Sequence, residues 1–283
     1  MRENPDAYER AYMARQLVQC TLPHSDPGNV PVWSRTNGDL TLAVRPYVDP
    51  KTRKALYPYG TIPRLLLFWM VTEATQTKSN RIELGNSLDE FIRAIGLNPR
   101  TGGGKRSDAK RLHSQMTRLF RAVISFEDRW PGGISYVDMQ IAPRGMLWWS
   151  PKKSGETTLM ENWVELGEDF YKAITAAPVP VDLRALRALK RSPLALDLYA
   201  LLAYRTWTVN RKRAAASIPW EGLHAQMGGE YTRLRDFKTK VIEALRRIRL
   251  VYPDVRVETT PEGLTIHPAK TPIPAKNTVD GIR

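Results

Sequence analysis

Apolar and polar positions along this chain follow one pattern twice. A long apolar run leads to a short strand-like run, a short amphipathic stretch, a breaker-rich turn and an amphipathic run dense in Lys and Arg. In the first copy, residues 63–77 (PRLLLFWMVTEATQT) predict a buried helix with Pro63 in its first turn. RIEL (81–84) predicts a strand and SLDEFIRAI (87–95) a helix. Ser87 and Glu90 have the spacing of a capping box, and Gly96 ends the helix. Residues 105–123 then predict a basic helix, with Leu112, Met116, Leu119, Phe120 and Val123 at helical spacing along one core-facing stripe.

The second copy begins at SPLALDLYALLAYRTW (192–207), a second apolar spine with Ser192 and Pro193 at its N-cap and first turn. SIPW (217–220) predicts a strand, WEGLHAQM (220–227) a helix, and residues 233–251 the second basic helix. There Leu234, Phe237, Val241, Leu245 and Ile248 recur in the same helical rhythm. Alternating runs follow each basic helix. After the first come ISFEDRW, ISYVDMQIA and MLWWS, with turns at Pro131-Gly132-Gly133 and Pro143-Arg144-Gly145, and then WVELGEDFYKAI as a strand and helix. After the second comes VRVETTPEGLTIHP, a hairpin turning at Pro261-Glu262-Gly263.

This order predicts an α+β, helix-rich chain of two tandem winged-helix domains behind an N-terminal helix and hairpin extension. The expected divisions are 1–60 for the extension, 61–176 and 177–270 for the two domains, and 271–283 for a flexible tail. Within the extension, 3–19 reads as an amphipathic helix and 20–31 as a loop. Asn37-Gly38 reads as a type I′ hairpin turn. The extension is too small for its own core and is expected to pack on the first domain. AAPVPVD (176–182) is the expected linker.

Charge alters the picture. Lys and Arg number 43 against 29 Asp and Glu, a net charge of +14. That excess suits a polyanion binder, and it is concentrated on the two basic helices. The helix of a helix-turn-helix unit that enters the DNA major groove contacts base edges with its N-terminal residues. Candidate contacts are therefore Lys105, Arg106, Ser107, Lys110 and Arg111 in the first copy. In the second they are Thr232, Arg233, Arg235, Asp236, Lys238 and Thr239. Arg118 and Arg121, and Arg246, Arg247 and Arg249, lie further along and are expected to meet phosphate or acidic partners. Arg129 and Arg144 are expected near hairpin tips. Trp148 and Trp149 read as packing residues.

Other chemistry finds little support. Cys20 is the only cysteine, and the four histidines lack ligand spacing, so no metal site is expected. TGGGKRS (101–107) is not a nucleotide-binding P-loop, because Arg106 follows the lysine and Pro99 stands at the leading-glycine position. No catalytic constellation and no cofactor is expected. The longest apolar run, LLLFWMV, is too short to span a membrane. The N-terminus lacks an apolar h-region, and a reducing bacterial cytoplasm is the expected location.

Four strings are similar to the plasmid-encoded RepA replication initiator family: CTLPHSDP (20–27), YPYGTIPRLLLFWMVTEA (57–74), LGNSLDEFIRAIGL (84–97) and RSPLALDLYALLAYR (191–205). The resemblance implies binding to double-stranded DNA at direct repeats (iterons) of a plasmid origin and opening of an adjacent AT-rich segment. It also implies recruitment of host DnaA and the DnaB helicase, and a monomer–dimer equilibrium in which the dimer represses its own gene. Only the role of the basic helix carries over, not base contacts. The competing expectation is a winged-helix transcriptional regulator without replication activity.

Overall fold

A computed structural model describes residues 10–99, 108–147, 161–228 and 230–274. The N-terminal part contains β1 (Arg10–Ala14), α1 (Arg15–Gln19), β2 (Trp33–Asn37), β3 (Leu40–Arg45), β4 (Tyr47–Val48) and β5 (Ala55–Leu56). The first half continues with α2 (Thr61–Thr77), β6 (Arg81–Glu83), α3 (Leu88–Ala94) and α4 (Asp108–Phe120). After these come β7 (Val123–Trp130), β8 (Gly133–Gln140), β9 (Arg144–Met146), β10 (Trp163–Glu165) and α5 (Glu168–Ala176). The second half contains β11 (Pro178–Asp182), α6 (Leu183–Leu189), α7 (Pro193–Lys212), β12 (Ala216–Pro219) and α8 (Trp220–Met227). It ends with α9 (Leu234–Val251), β13 (Val257–Thr259) and β14 (Gly263–Ile266). The chain is α+β and helix-rich.

The repeat seen in the sequence has a counterpart in the sheets. In the first half the strand between the spine helix and the short helix lies at an edge, in the order β6-β10-β9. In the second half the order is β12-β14-β13. In each sheet the first strand therefore pairs with the last, and the middle strand in sequence lies at the far edge. Two spines, α2 and α7, bury most of their length, from Ile62 to Ala74 and from Leu194 to Val209. Ser87 Oγ accepts from Glu90 N at 3.2 Å and Ser192 Oγ from Ala195 N at 3.2 Å, so both expected caps form.

Tertiary pairing revises several expectations. Residues 10–14 form a strand, not part of a helix. They pair antiparallel with β11, so the segment expected as a linker is itself a strand bridging to the N-terminal segment. Its prolines are tolerated in a two-stranded pairing because no further strand needs their missing N–H groups. The N-terminal hairpin turns at Gly38-Asp39, with Asn37 paired to Leu40 and a positive φ at Gly38 but not at Asp39. Glycine at the first central position is the type II′ solution rather than type I′.

The long hairpin β7–β8 is not part of the β6-β10-β9 sheet. It joins the N-terminal hairpin in the sheet β2-β3-β7-β8. Arg144, expected at a hairpin tip, instead lies in β9 opposite Glu165. Residues 271–274 are not a free tail. Ile273 is buried, Tyr252 donates to Lys270 O at 2.7 Å, and Asn210 exchanges two bonds with Ala269. The N-terminal segment thus packs on both halves: β3 against β7, β1 against β11, and Gln226 of α8 donating to Gln19 O at 2.9 Å.

Candidate nucleic-acid interface

The turn between α8 and α9 is tightly held. Gly228 N donates to His224 O at 2.7 Å, Tyr231 N donates to Gly228 O at 2.8 Å, and the His224 ring bonds Tyr231 O at 2.8 Å. A side chain at position 228 would lie 2.6 Å from His224 and 2.8 Å from Phe237, so only glycine lets the turn close onto α9. Beyond it Thr232 and Arg233, just ahead of α9, and Arg235, Asp236 and Thr239, on its first turns, are all exposed. Phe237, Val241, Ala244, Leu245 and Ile248 anchor the opposite face in the core.

Lys238 behaves differently from its neighbours. It is half-buried, with Nζ 5.3 Å from the centre of the Trp220 ring and 3.5 Å from Pro261 O. Trp220 in turn donates through Nε1 to Thr260 O at 2.9 Å. These contacts hold the β13–β14 turn beside the first turns of α9, so the exposed cations and the hairpin turn share one end of the second half. Further along α9, Arg246 and Arg247 are exposed, while Arg249 donates to Val257 O at 2.7 Å.

Lys105, Arg106 and Ser107 lie outside the described residues, as do Trp148 and Trp149. Arg111 is exposed on α4, 3.3 Å from Asp108, and Lys110 is half-buried. The far half of α4 has another use. Arg118 donates to Tyr57 O at 3.1 Å, lies 3.4 Å from Asp26 and sits over the Tyr59 ring at 5.3 Å. Arg121 sits over the Tyr47 ring at 3.6 Å. Gln115, buried, accepts from Tyr59 N at 3.1 Å. These cations fasten the N-terminal segment to α4, a role that helical spacing alone could not show. The tyrosines at 47, 57 and 59 were the available signal. Arg118→Ala is expected to lower stability by about 1–2 kcal/mol in a urea melt. It should leave the salt dependence of DNA binding unchanged. Arg129 pairs with Glu127 on its own strand.

Behind these helices lies a buried ionic cluster that joins the two halves. Arg64 of α2 is 2% exposed and grips Asp197 of α7 through Nε–Oδ1 and Nη2–Oδ2, each at 2.8 Å. It also donates to Leu22 O, Pro23 O and Gly60 O at 2.6–3.0 Å. His24 places Nε2 2.8 Å from Asp197 Oδ2, and its backbone N donates to Glu230 Oε1 at 2.7 Å. Arg35 reaches Glu230 at 3.1 Å and Thr21 Oγ1 at 2.7 Å. Glu230 belongs to the turn that presents Thr232 and Arg233. The cluster thus ties that turn to the N-terminal segment, and through Asp197 to both spines.

Two arginines and two carboxylates balance without a charge on His24. Burial holds the imidazole below the ordinary histidine range, and the Arg64 charge adds to the effect against the pull of the carboxylates. Nε2–H then donates to Asp197, which leaves Nδ1 without a hydrogen-bond partner, as observed. Because the folded value is depressed, the stabilisation is fully present above the unfolded value of about 6.5 and is lost as pH falls below it. Urea melts from pH 7.5 to 5 should show a loss of stability that His24→Gln reduces, the remainder coming from His113, which burial also holds low. An identical pH slope in that variant would disprove the assignment.

Among the described residues no group of three or more His, Cys, Asp or Glu could hold a metal ion. Burial pushes the Cys20 thiol up to about 11, which leaves it a protonated packing group. Among the described residues no helix is long and apolar enough to cross a membrane.

Comparison with known proteins follows from this architecture. No curated protein sequence matches the chain. The crystal structure of SeMet derivatives of domains 2 and 3 of RctB is similar in fold, with a TM-score of 0.52 and 13% identity. The match covers 88% of this chain and 93% of that one. At that identity the likeness is one of fold. A family described as plasmid encoded RepA protein matches residues 57–222, which takes in both spines, α4 and the start of α8. Because the match spans more than half of the sequence, this chain belongs to the family of plasmid-encoded RepA proteins.

Proposed function

We propose that this protein initiates plasmid replication by binding tandem repeats at the plasmid origin, each half acting as a winged helix on duplex DNA. The observation that carries the reading is the structural repeat: the same sheet order in both halves, each with a basic amphipathic helix after the short helix. Such a helix fits the major groove, and arginine can bond guanine bidentately there. In this reading Thr232, Arg233, Arg235 and Thr239 form the reading end of the second half. Lys105, Arg106, Ser107, Lys110 and Arg111 supply that of the first. Lys238 orients the wing turn against α9.

Initiation of this kind needs no bond chemistry from the protein. Binding bends and unstacks DNA, and AT-rich and pyrimidine–purine steps deform most easily. Several copies on neighbouring repeats add their distortions until the adjacent duplex opens. Recruitment of DnaA and DnaB, and a monomer–dimer equilibrium with self-repression by the dimer, extend the same reading from family membership. If about six phosphates are neutralised per protomer, log K falls with log salt at a slope near −5. A slope shallower than about −2 would contradict duplex gripping by two halves.

Footprinting on DNA flanking the gene, at physiological salt, tests the reading. Evenly spaced protection over tandem repeats is expected. Protection of a single inverted repeat at the promoter would favour a transcriptional regulator instead. Absence of any protection would overturn both.

A further inference from the structure

The C-terminal end of α7 carries a second concentration of cations and rings, away from the first turns of α9. Pro219, at the end of β12, pairs with Gly263 beside the turn that touches Lys238. Ala216, at the start of β12, pairs with Ile266, and α7 runs into that start. The last turn of α7 therefore lies at the opposite end of the sheet from the duplex-reading residues.

There Trp207 is 46% exposed and stacks on Tyr204, with centroids 6.4 Å apart and planes 22° apart. Arg211 lies 5.0 Å from the centre of the Trp207 ring. Arg205, Lys212 and Arg213 lie near them in sequence, on or just past α7. Among the described residues, none of these four cations is paired with a carboxylate, and Arg205 Nε is buried without a partner.

Trp207 and Tyr204 line a cavity of about 350 Å³ together with Arg15, Pro178, Pro180 and Ile273. A neighbouring cavity of about 410 Å³ shares Tyr204 and Arg15 and reaches Tyr136 on β8, which is 72% exposed. Asp128 is the one acid lining either cavity. A trough thus runs from Trp207 past Tyr204 and Arg15 to Tyr136, with Arg15 the one cation lining it and Arg211 beside the ring at its outer end.

The dipole of α7 favours cations in its last turn. It does not account for Arg15, which belongs to another element, or for two large rings left accessible beside each other. Flat apolar surfaces set among unpaired cations match a chain with exposed bases and a charged backbone. Duplex DNA offers no free base faces, and a proline-rich peptide would leave the cations unused.

We propose that this trough binds single-stranded DNA, with Trp207 and Tyr204 stacking on bases and Arg15 and Arg211 meeting phosphates. The site is independent of the duplex-reading residues and suits a strand released when the origin opens.

The test uses the full chain with fluorescein-labelled oligothymidine and, separately, duplex repeat DNA. Trp207→Ala and Arg211→Glu should each weaken oligothymidine binding about tenfold and leave duplex affinity within about twofold. Trp207→Phe, which keeps a ring, should retain most of the binding. Arg235→Glu should do the reverse of Trp207→Ala, losing duplex and keeping the single strand. Unchanged oligothymidine affinity in both Trp207→Ala and Arg211→Glu would overturn the proposal, as would equal losses on single strand and duplex. If Arg235→Glu keeps its duplex affinity while Trp207→Ala loses the single strand, the trough stands and the duplex assignment fails.

Discussion

Asp197→Ala is expected to lower the free energy of unfolding by about 3–5 kcal/mol, because it leaves a buried guanidinium without its counter-charge. Asp197 lies between Arg64 and His24, both nearly inaccessible to water. Burial alone would raise its carboxyl, but the Arg64 charge and the His24 hydrogen bond outweigh burial and hold it well below the usual carboxylate range. Its contribution is therefore present above the unfolded value of about 3.9 and is lost as pH falls toward the depressed folded value.

Urea denaturation at neutral pH measures the loss. The double change Arg64→Met with Asp197→Leu should recover only part of it, since an apolar pair avoids the desolvation of two ions but removes the hydrogen bonds to His24 and to the carbonyls of Leu22, Pro23 and Gly60. A loss below about 1 kcal/mol in Asp197→Ala would show that the pair behaves as an exposed one. Destabilisation should also appear as weaker binding by the second half, because His24 joins Asp197 to the Glu230 turn ahead of α9.

The second large effect concerns DNA. Arg235→Glu should weaken binding to the repeat by about 1–3 kcal/mol, roughly five- to 150-fold, if Arg235 reads a base edge. Its side chain is 82% exposed, and its nearest acid, Asp236, is itself more than half exposed, so the change costs little fold stability. Binding to random duplex should fall much less, because one phosphate contact changes only the sequence-independent part. Arg246→Glu is the comparison, since that residue lies about three turns further along α9. It should weaken repeat and random DNA alike. Equal losses on the two DNAs for Arg235→Glu would remove it from base reading.

Much of the architecture was legible from local pattern. Leu112 to Phe120 and Phe237 to Ile248 show the helical stripe directly, and both stripes are buried as their spacing requires. Ser87 and Ser192 marked helix starts because a side-chain oxygen must satisfy an otherwise orphaned N–H, a requirement local to a few residues. The cationic first turns of α9 were likewise visible, because charge and helical phase together place them away from the core.

Long-range partners were not legible. Residues 10–14 contain a helix-compatible mixture, and what makes them a strand is β11, more than 160 residues away in sequence. A proline-rich run reads locally as a linker, and nothing short-range reveals that its free backbone groups face β1. The hairpin β7–β8 follows a basic helix, as a wing would. Its partner β3 comes from the N-terminal segment, and strand pairing depends on backbone groups that carry no sequence label.

The same distinction applies to charge. Helical phase says that Arg118, Arg121 and Lys238 are off the core stripe. Only the fold brings Tyr57, Tyr47 and Trp220 against them and half-buries Arg118 and Lys238. Arg64, in an otherwise apolar run, is the sharpest case. Periodicity assigns it to a buried spine, yet a buried guanidinium is tolerable only with a carboxylate and several carbonyls around it, and Asp197 is 133 residues distant. Repeat, element type and net charge are sums over neighbouring residues, so the amino-acid order specifies them directly. Pairing, ion partners and the joining of the two halves depend on which distant groups meet, and that is settled only when the whole chain closes around a common core.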